Sequence, residues 1–246
     1  MAPTTVLITG ANRGLGLGLV KKFLSQPNHT VVAAVRDPGN STSKALADLP
    51  KADGSKVIVV KLDAAIEKDA FDAVKTVQEQ GISHLDIVVA NAAIVKSYPF
   101  VKDAQRDELL EHYTVNVLGP VALYQATRDL LQKSTGKPIF AFMGSGAGAL
   151  GRQPPVPNAV YGASKSVVAW YGVRINAEDE WLNTFVLDPG WVQTEMGNTA
   201  ARLFGVPEAP TTTDDSVNGL YSVLTTATKE KYGGKVVLYT GEVQVY

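Results

Sequence analysis

Short runs of apolar, often β-branched residues alternate along the chain with longer segments in which apolar residues recur every three or four positions. The short runs are typical of buried strands, and the longer periodic segments are typical of amphipathic helices. Strands are therefore predicted at 6–9, 30–35, 56–60, 85–90, 138–143, 182–187 and 235–239. Helices are predicted from a glycine-rich turn to residue 24, and at 44–49, 66–80, 103–133, 159–179, 199–205 and 212–228.

This alternation indicates an α/β fold, with one domain spanning residues 1–246. Because the strands are almost entirely apolar, they are expected to form a doubly wound parallel sheet covered by helices on both faces. No linker, internal repeat or low-complexity tract divides the chain. The long helical stretch is expected to be interrupted near Gly119 and Pro120. Three prolines within 152–158 predict a stiff loop and not a domain boundary.

Composition excludes several classes of function. Of 246 residues, 23 are Lys or Arg and 24 are Asp or Glu, so no nucleic-acid or acidic membrane partner is expected. The absence of cysteine excludes a disulfide scaffold, a thiolate nucleophile and a cysteine-ligated zinc site. The histidines, His29, His84 and His112, lack metal-ligand spacing, so no metal is predicted. With no visible signal peptide and no run of about 18 apolar residues, a cytoplasmic location is expected.

The first predicted strand ends in a glycine-rich turn that leads directly into a helix. The pattern is G-x-x-x-G-x-G, built from Gly10, Asn12, Arg13, Gly14, Leu15 and Gly16. Glycine lets the backbone turn tightly and approach a ligand, and the positive end of the following helix suits a pyrophosphate. A plain strand–helix turn is the alternative. The position of the glycine-rich turn in the first strand–helix unit of the chain favours a dinucleotide site.

The residues after the second strand bear on the choice of cofactor. Arg36 lies 20 residues past Gly16, and Arg13 can reach the same region. Two guanidinium groups suit the 2′-phosphate of NADP(H), with charge-assisted bonds of about 1.5–3 kcal/mol each. Asp37 is contrary evidence, because a carboxylate there could serve a ribose hydroxyl or simply pair with Arg36. We predict NADP(H).

Polar or small residues also follow the third and fourth strands. Asp63 could accept the adenine amino group, or it could cap the helix that follows. Asn91 and Ala92 end the fourth strand, where small residues would let the chain pass beside a ribose. Tight packing at the switch point of the sheet is the alternative for this pair.

Candidate catalytic residues follow the fifth strand. Ser145 lies in a glycine-rich run, and Tyr161 and Lys165 are four positions apart, so they share one face of the next helix. A free tyrosine titrates near 10, so proton transfer near neutrality would require its phenolate to be favoured by about 3–4 kcal/mol. A nearby lysine ammonium could supply that energy. The alternative is an ordinary pair on an amphipathic helix, but Ser145 and the glycine turn favour catalysis.

Together these motifs resemble the short-chain dehydrogenase/reductase family over essentially the whole chain. The resemblance rests on the glycine turn, Asn91, Asn116, Ser145, Tyr161 with Lys165, and Pro189-Gly190 followed by Val192 and Thr194. It implies a Rossmann-type sheet of about seven strands in the order 3-2-1-4-5-6-7. It implies catalytic roles for Asn116, Ser145, Tyr161 and Lys165, with Asn116 holding the helix and a water. The cofactor would then be bound by Tyr161, Lys165, Pro189, Val192 and Thr194, the last two at the nicotinamide carboxamide.

Within the family, the chain looks most like fungal ketoreductases of the norsolorinic-acid type and related carbonyl reductases. Residues 195–212 are expected to cover an apolar, aromatic pocket. The candidate lining residues are Tyr98, Phe100, Trp191, Met196, Leu203, Phe204, Val206 and Pro207. The expected activity is NADPH-dependent reduction of a bulky ketone or aldehyde, with Tyr161 as proton donor. Alcohol oxidation and a non-catalytic NADP(H) sensor are the alternatives. Family analogy suggests a homodimer or homotetramer.

Overall fold

Eight strands form one sheet in the computed structural model, which describes residues 3–153 and 156–246. Their order is β3-β2-β1-β4-β5-β6-β7-β8, and every pairing is parallel except that of β7 with β8. The strands are β1 (Thr4–Thr9), β2 (His29–Val35), β3 (Lys56–Lys61), β4 (Ile87–Ala90), β5 (Ile139–Met143), β6 (Asn183–Asp188), β7 (Val236–Leu238) and β8 (Val243–Gln244). The predicted fold class and seven-strand order are confirmed, and β8 is added at the edge.

Helices cover both faces of the sheet. They are α1 (Gly14–Leu24), α2 (Ser41–Lys44), α3 (Glu67–Glu79), α4 (Arg106–Tyr113), α5 (Gly119–Gln132), α6 (Tyr161–Glu178), α7 (Glu195–Leu203), α8 (Thr213–Thr226) and α9 (Lys229–Tyr232). Apolar side chains of α1 and α8 pack on one face, and those of α3, α5 and α6 pack on the other. This two-sided cover explains why the central strands are apolar at almost every position. No helix in the described ranges combines the length and the apolar character that a bilayer crossing requires.

Two helix predictions need correction. Residues 45–48 form turns, and the short helix lies earlier, at α2, where the Asn40 side chain accepts the Thr42 amide and so begins the helix. The stretch after residue 103 is not interrupted at Gly119 and Pro120. Instead a π-helical turn, Thr114–Leu118, joins α4 to α5, and Pro120 lies in the first turn of α5, where its missing N–H does no harm. Pro154 and Pro155 of the predicted stiff loop lie outside the described residues.

A buried carboxylate links α5 to α6 at the end of the molecule away from the glycine turn. Asp179, which follows α6, accepts two bonds from Arg128, of 2.6 and 2.9 Å, and one from the Tyr124 hydroxyl, of 2.6 Å. The side chain of Asp179 is 7% exposed, whereas that of Arg128 is 39% exposed. Because these bonds satisfy the buried charge, the network fixes the C-terminal end of α6.

Candidate active site

The C-terminal ends of β1, β4, β5 and β6 meet at one edge of the sheet, where open α/β folds place their ligands. The sheet order reverses between β1 and β4, so the residues that follow these two strands lie at the switch point. Four of the predicted motifs follow these strands directly, and they begin at Gly10, Asn91, Ser145 and Pro189. The fold therefore brings together motifs that are spread over about 180 residues of sequence.

The glycine turn has a backbone that requires glycine. Gly10 and Gly14 have φ of +63° and +53°, in the left-handed region. A Cβ on Gly16 would lie 2.2 Å from the Gly10 carbonyl oxygen, so the turn and α1 pack too closely for any side chain. No side chain caps the N-terminus of α1, and its first turn carries no acidic residue. Its free amides are therefore available to an anion.

Asn91 and Ala92 hold the ends of β4 and β1 together. The amides of both residues donate to the Thr9 hydroxyl, over 3.0 and 2.9 Å, and the Asn91 side-chain amide donates to the Thr9 carbonyl over 2.8 Å. A Cβ on Gly10 would lie 3.1 Å from the Ala92 Cα. These bonds pack the pair tightly at the switch point, and a contact with a ribose stays a prediction.

Exposed polar groups surround the expected adenosine end of the groove. Arg36 follows β2 and is exposed, and the Asp37 carboxylate accepts the Gly39 amide over 2.8 Å. Arg13 donates to the Glu195 carboxylate over 2.7 Å, and both side chains are more than two-thirds exposed. The glycine turn is therefore linked directly to the first residue of α7.

Asn12 and Asp63 both make local hydrogen bonds. The Asn12 amide donates to the Thr42 hydroxyl over 2.8 Å, which links the glycine turn to α2. The Asp63 carboxylate accepts the Ala65 amide over 2.9 Å, at the turn before α3. This bond closes the turn and does not cap α3, because the N-cap of that helix is Ile66 and has no side-chain cap, so the capping alternative is wrong. An adenine contact stays a prediction.

Ser145, Tyr161 and Lys165 converge beyond the end of β5. The Lys165 ammonium lies 5.7 Å from the centre of the Tyr161 ring and donates to the Met143 carbonyl, over 2.7 Å, at the end of β5. Ser145 adopts an extended backbone, and its hydroxyl accepts the Ala147 amide. The spacing of four residues on α6 thus places the phenol and the ammonium side by side, as the sequence predicts.

The direction of the Tyr161 pKa differs from the expectation. Burial raises the pKa of this phenol well above its ordinary value, although the neighbouring Ser145 hydroxyl lowers it and the charges of Tyr98 and Asp188 raise it slightly. Burial also lowers the pKa of Lys165 to about 8. Desolvation of the site therefore outweighs the depression of this pKa that was expected from the Lys165 ammonium. Tyr161 therefore keeps its proton near neutrality.

Asn116 lies in the π-helical turn and is fully buried. Its carbonyl oxygen accepts the Ile94 amide, and its amide donates to the Ile94 carbonyl and to the Ser164 hydroxyl, over distances of 2.8–3.0 Å. The Ser164 hydroxyl donates in turn to the Tyr161 carbonyl over 2.7 Å. Asn116 thus holds the first turn of α6 against the loop that follows β4. A water between Asn116 and Lys165 stays a prediction.

The segment after β6 returns to the glycine turn. Gly190 has φ of +77°, so the chain turns sharply, and Val192 pairs with Thr211 in an isolated bridge. The Thr194 hydroxyl accepts the Gly197 amide and so begins α7. A Cβ on Gly14 would lie 3.6 Å from the Thr194 methyl group, so two motifs 180 residues apart are in contact range.

One charged pair at the site has no counterpart among the sequence predictions. Asp188, the last residue of β6, is 2% exposed, and its carboxylate lies 3.2 Å from the guanidinium of Arg152. An aspartate before Pro189 is the only local signal, and a strand-end carboxylate in a sequence looks like an ordinary exposed residue. Its partner lies 36 positions away, so sequence periodicity carries no information about the pair.

The sheet order and the glycine turn at the switch point are those of a dinucleotide-binding α/β protein, and a tyrosine lies beside a lysine at the same edge of the sheet. The family model described as short chain dehydrogenase matches residues 4–202. The chain belongs to this family of oxidoreductases.

Curated relatives extend over nearly the whole chain. The chain is 44% identical to a norsolorinic acid ketoreductase of Dothistroma septosporum, an alignment that covers 96% of this chain and 90% of the relative. It is 40% identical to the norsolorinic acid ketoreductase of Aspergillus parasiticus, with 98% and 90% covered. The predicted resemblance to norsolorinic-acid-type ketoreductases is confirmed.

Solved structures share the fold over the full length. The NADPH-bound carbonyl reductase from chicken fatty liver superposes with a TM-score of 0.87, at 26% identity and with 100% of both chains covered. The carbonyl reductase Sniffer of Drosophila melanogaster superposes with a TM-score of 0.85 at 23% identity, with 99% of this chain and 100% of that chain covered. The chain thus shares the fold of known carbonyl reductases.

Proposed function

We propose that this protein is an NADPH-dependent ketoreductase that reduces a bulky ketone or aldehyde to an alcohol, with Tyr161 as the proton donor. The observation that carries the proposal is the convergence of Ser145, Tyr161 and Lys165 at the edge of the sheet that also holds the glycine turn. The similarity to named ketoreductases supports the same reaction class.

The residues present fit NADP(H). The left-handed turns at Gly10 and Gly14, together with the uncapped start of α1, form a cradle for a pyrophosphate. Arg13 and Arg36 are exposed beside it and suit a 2′-phosphate. The other proposed contacts are Gly10, Asn12, Gly14, Leu15, Asp63, Asn91, Ala92, Pro189, Val192 and Thr194. When bound, NADPH supplies the hydride that the protein's own groups cannot supply.

The catalytic groups of the chain have separate tasks. Tyr161 is protonated near neutrality, because burial raises its pKa, and is therefore suited to donate a proton to a carbonyl oxygen. The Ser145 hydroxyl can hold the same oxygen in place. Lys165 brings a cation beside the phenol and stabilises the negative charge that develops as the proton leaves. Asn116 holds the first turn of α6, and with it Tyr161, in position.

The direction of the Tyr161 pKa favours reduction over alcohol oxidation. A proton donor must carry its proton at the working pH, whereas a base that removes a proton from an alcohol must first lose it. Burial raises the pKa of the Tyr161 phenol and so favours its protonated form. Oxidation would therefore require alkaline conditions, under which more of the phenolate forms.

Aromatic side chains from three segments form the proposed substrate wall. The Phe204 ring packs edge-on against Tyr98, with centroids 5.3 Å apart, and against Trp191 at 6.4 Å. The Trp191 indole N–H donates to the Gly197 carbonyl, which anchors the wall to α7. Residues 195–212 therefore bring an aromatic surface to the site, and it suits a flat, polyketide-like carbonyl compound.

Phe204→Ala should raise the KM for a bulky aromatic ketone by about tenfold and leave the KM for a small aliphatic ketone within about twofold. The reason is that the ring offers stacking area that only a large flat substrate can use. Steady-state kinetics with one ketone of each size, at saturating NADPH, measure the effect. Phe71→Ala is a matched control, because it also removes a partly exposed ring, 45% exposed on α3, that was not assigned to the pocket. Equal changes for both ketones would contradict the aromatic wall.

A homodimer or homotetramer is also proposed. Large apolar side chains on α4 and α6, among them Leu110, Trp170 and Val173, are 41–59% exposed and suit contact with a second copy. Sedimentation velocity should give a mass of at least twice 26.2 kDa. A single species at the mass of one chain, at micromolar concentration, would exclude this proposal.

A panel of ketones with NADPH, followed by the loss of nicotinamide absorbance, tests the proposed function directly. We expect turnover with bulky aromatic ketones, and less with NADH than with NADPH. If the purified protein binds NADPH but converts no ketone and oxidises no alcohol, the non-catalytic sensor is the correct function. Faster oxidation of the alcohols than reduction of the ketones, at neutral pH, would support the dehydrogenase alternative.

A further inference from the structure

A buried carboxylate lies directly behind the proposed catalytic residues and has no task in the mechanism above. The Asp188 side chain is 3% exposed, and that of its partner Arg152 is 47% exposed. One carboxylate oxygen faces the Arg152 guanidinium at 3.2 Å, and the other accepts the Gly190 amide over 3.0 Å. A carboxylate is costly to bury, so a position so close to the reacting groups calls for a physical explanation.

The Asp188–Arg152 pair joins three turns that surround the site. Gly146, directly after Ser145, packs on the pair, because a Cβ there would lie 3.1 Å from both the carboxylate and the guanidinium. Arg152 belongs to the short helical turn Leu150–Arg152, in the segment between Ser145 and Tyr161. Gly190 opens the turn that leads to Val192 and Thr194. The Asp188–Arg152 pair thus touches the turn after Ser145, the segment before Tyr161 and the turn at Gly190. These segments adjoin the proposed catalytic and nicotinamide-binding groups that follow β5.

The charge of Asp188 also reaches the phenol. The titratable and charged groups that face Tyr161 are Lys165 on its own helix, Tyr98 on the loop after β4, and Asp188 at the end of β6, whose charge Arg152 partly balances. The carboxylate disfavours the phenolate and so raises the pKa of Tyr161. It therefore acts in the direction that a proton donor requires.

We propose that Asp188, with Arg152 as its counter-ion, is a positioning residue for carbonyl reduction, which clamps the turn after Ser145 to the turn before Val192. This role of Asp188 rests on the proposed ketoreductase function, because Asp188 lies at the same site. Asp188 does not itself exchange a proton. It holds the oxygen-binding serine and the nicotinamide-binding segment in one arrangement.

Asp188→Asn removes the charge and keeps a side-chain oxygen that can accept the Gly190 amide. We expect kcat for ketone reduction to fall by about tenfold, with the KM for NADPH changed by less than about twofold, because the loss is one of alignment. The descending limb of the kcat–pH profile should move to lower pH, because removal of the carboxylate lowers the pKa of Tyr161. A purely structural role would lower stability without moving that limb.

Asp179→Asn is the matched control. It also removes one charge from a buried Asp–Arg pair, but Asp179 lies at the opposite end of α6 from Tyr161. We expect this variant to lower the melting temperature and to leave kcat and its pH profile unchanged. If both variants lose kcat to the same extent, Asp188 has no special relation to the site and the proposal is wrong.

A double variant and a hydrogen-exchange measurement test the role of Asp188 without relying on Asp188→Asn kinetics alone. Arg152→Gln combined with Asp188→Asn gives a neutral pair that can still hydrogen-bond, and it should recover part of the kcat that Asp188→Asn loses. Hydrogen exchange should become faster in Asp188→Asn at amides 144–152 and 190–194, and not in Asp179→Asn. Unchanged exchange and unchanged kcat in every Asp188 variant would overturn the proposal.

The turnover of Tyr161→Phe distinguishes a failure of the Asp188 proposal from a failure of the proposed function. If Tyr161→Phe retains full turnover, the proposed mechanism fails, whatever the Asp188 variants do. If Tyr161→Phe is inactive and Asp188→Asn turns over normally with normal exchange, only the role of Asp188 fails. The exchange measurement needs no substrate, so it can contradict the clamp even if no ketone in the panel is reduced.

Discussion

Replacement of Tyr161 by phenylalanine should lower kcat for ketone reduction by a factor of about 10³, in the middle of the range for loss of a general acid. The change removes one hydroxyl group and leaves the ring beside the Lys165 ammonium, so the fold and the groove are kept. The NADPH dissociation constant should therefore stay within about twofold, since the proposed cofactor cradle is formed by the glycine turn. Stopped-flow or steady-state loss of NADPH absorbance measures kcat, and fluorescence titration measures cofactor binding.

Tyr171→Phe is the matched control for this prediction. Tyr171 lies on the same helix, and its ring packs edge-on against Trp170. This variant should retain the kcat of the unmodified protein. A Tyr161→Phe protein with at least a tenth of normal turnover would show that another group, or water, provides the proton, and the assigned mechanism would then be wrong.

Replacement of Arg36 by alanine should raise the KM for NADPH by about 10- to 100-fold and leave the KM for NADH within about twofold. A charge-assisted bond to a phosphate contributes about 1.5–3 kcal/mol, and about 1.4 kcal/mol corresponds to a factor of ten. The difference between the two cofactors is one 2′-phosphate, so the selective loss reports on that contact alone. Arg36 gives a cleaner test than Arg13, because Arg13 is paired with Glu195.

Arg174→Ala controls for the loss of one positive charge. Arg174 is exposed on α6 and pairs with Glu178, a residue of the same helix. Its removal should leave both KM values unchanged. If Arg36→Ala raises the KM for NADPH and NADH equally, the assignment of Arg36 to the 2′-phosphate is wrong, and Asp37 becomes the candidate for a ribose contact. Measurements at constant ionic strength are needed, because the contact is electrostatic.

The strands were the most predictable part of the fold. β2, for example, is a continuous run of buried residues from Thr30 to Val35, because helices cover both faces of the sheet, and such a run is visible without a structure. The errors lie where local signals are weak. β8 has only two residues and is an edge strand, and α2 depends on one asparagine cap, so neither has a periodic pattern that sequence reasoning can detect.

Some residues of the candidate site could likewise be assigned from local sequence signals, and others could not. Gly10 and Gly14 could be assigned from sequence because a left-handed turn selects glycine locally, and Tyr161 with Lys165 because a spacing of four on a helix is a local geometric fact. Asn116 could be found only by resemblance. Its bonds to Ile94 and Ser164 join segments 22 and 48 residues away, and no local pattern encodes them.

The order of the amino acids by itself determined the alternation of strands and helices, the glycine turn and the pairing of a phenol with an ammonium on one helix face. These features depend on backbone geometry over a few residues. The tertiary structure alone decided that the pKa of Tyr161 is raised and that Asp188 lies buried beside Arg152. Both depend on desolvation, which is set by neighbours that the fold brings from distant parts of the chain.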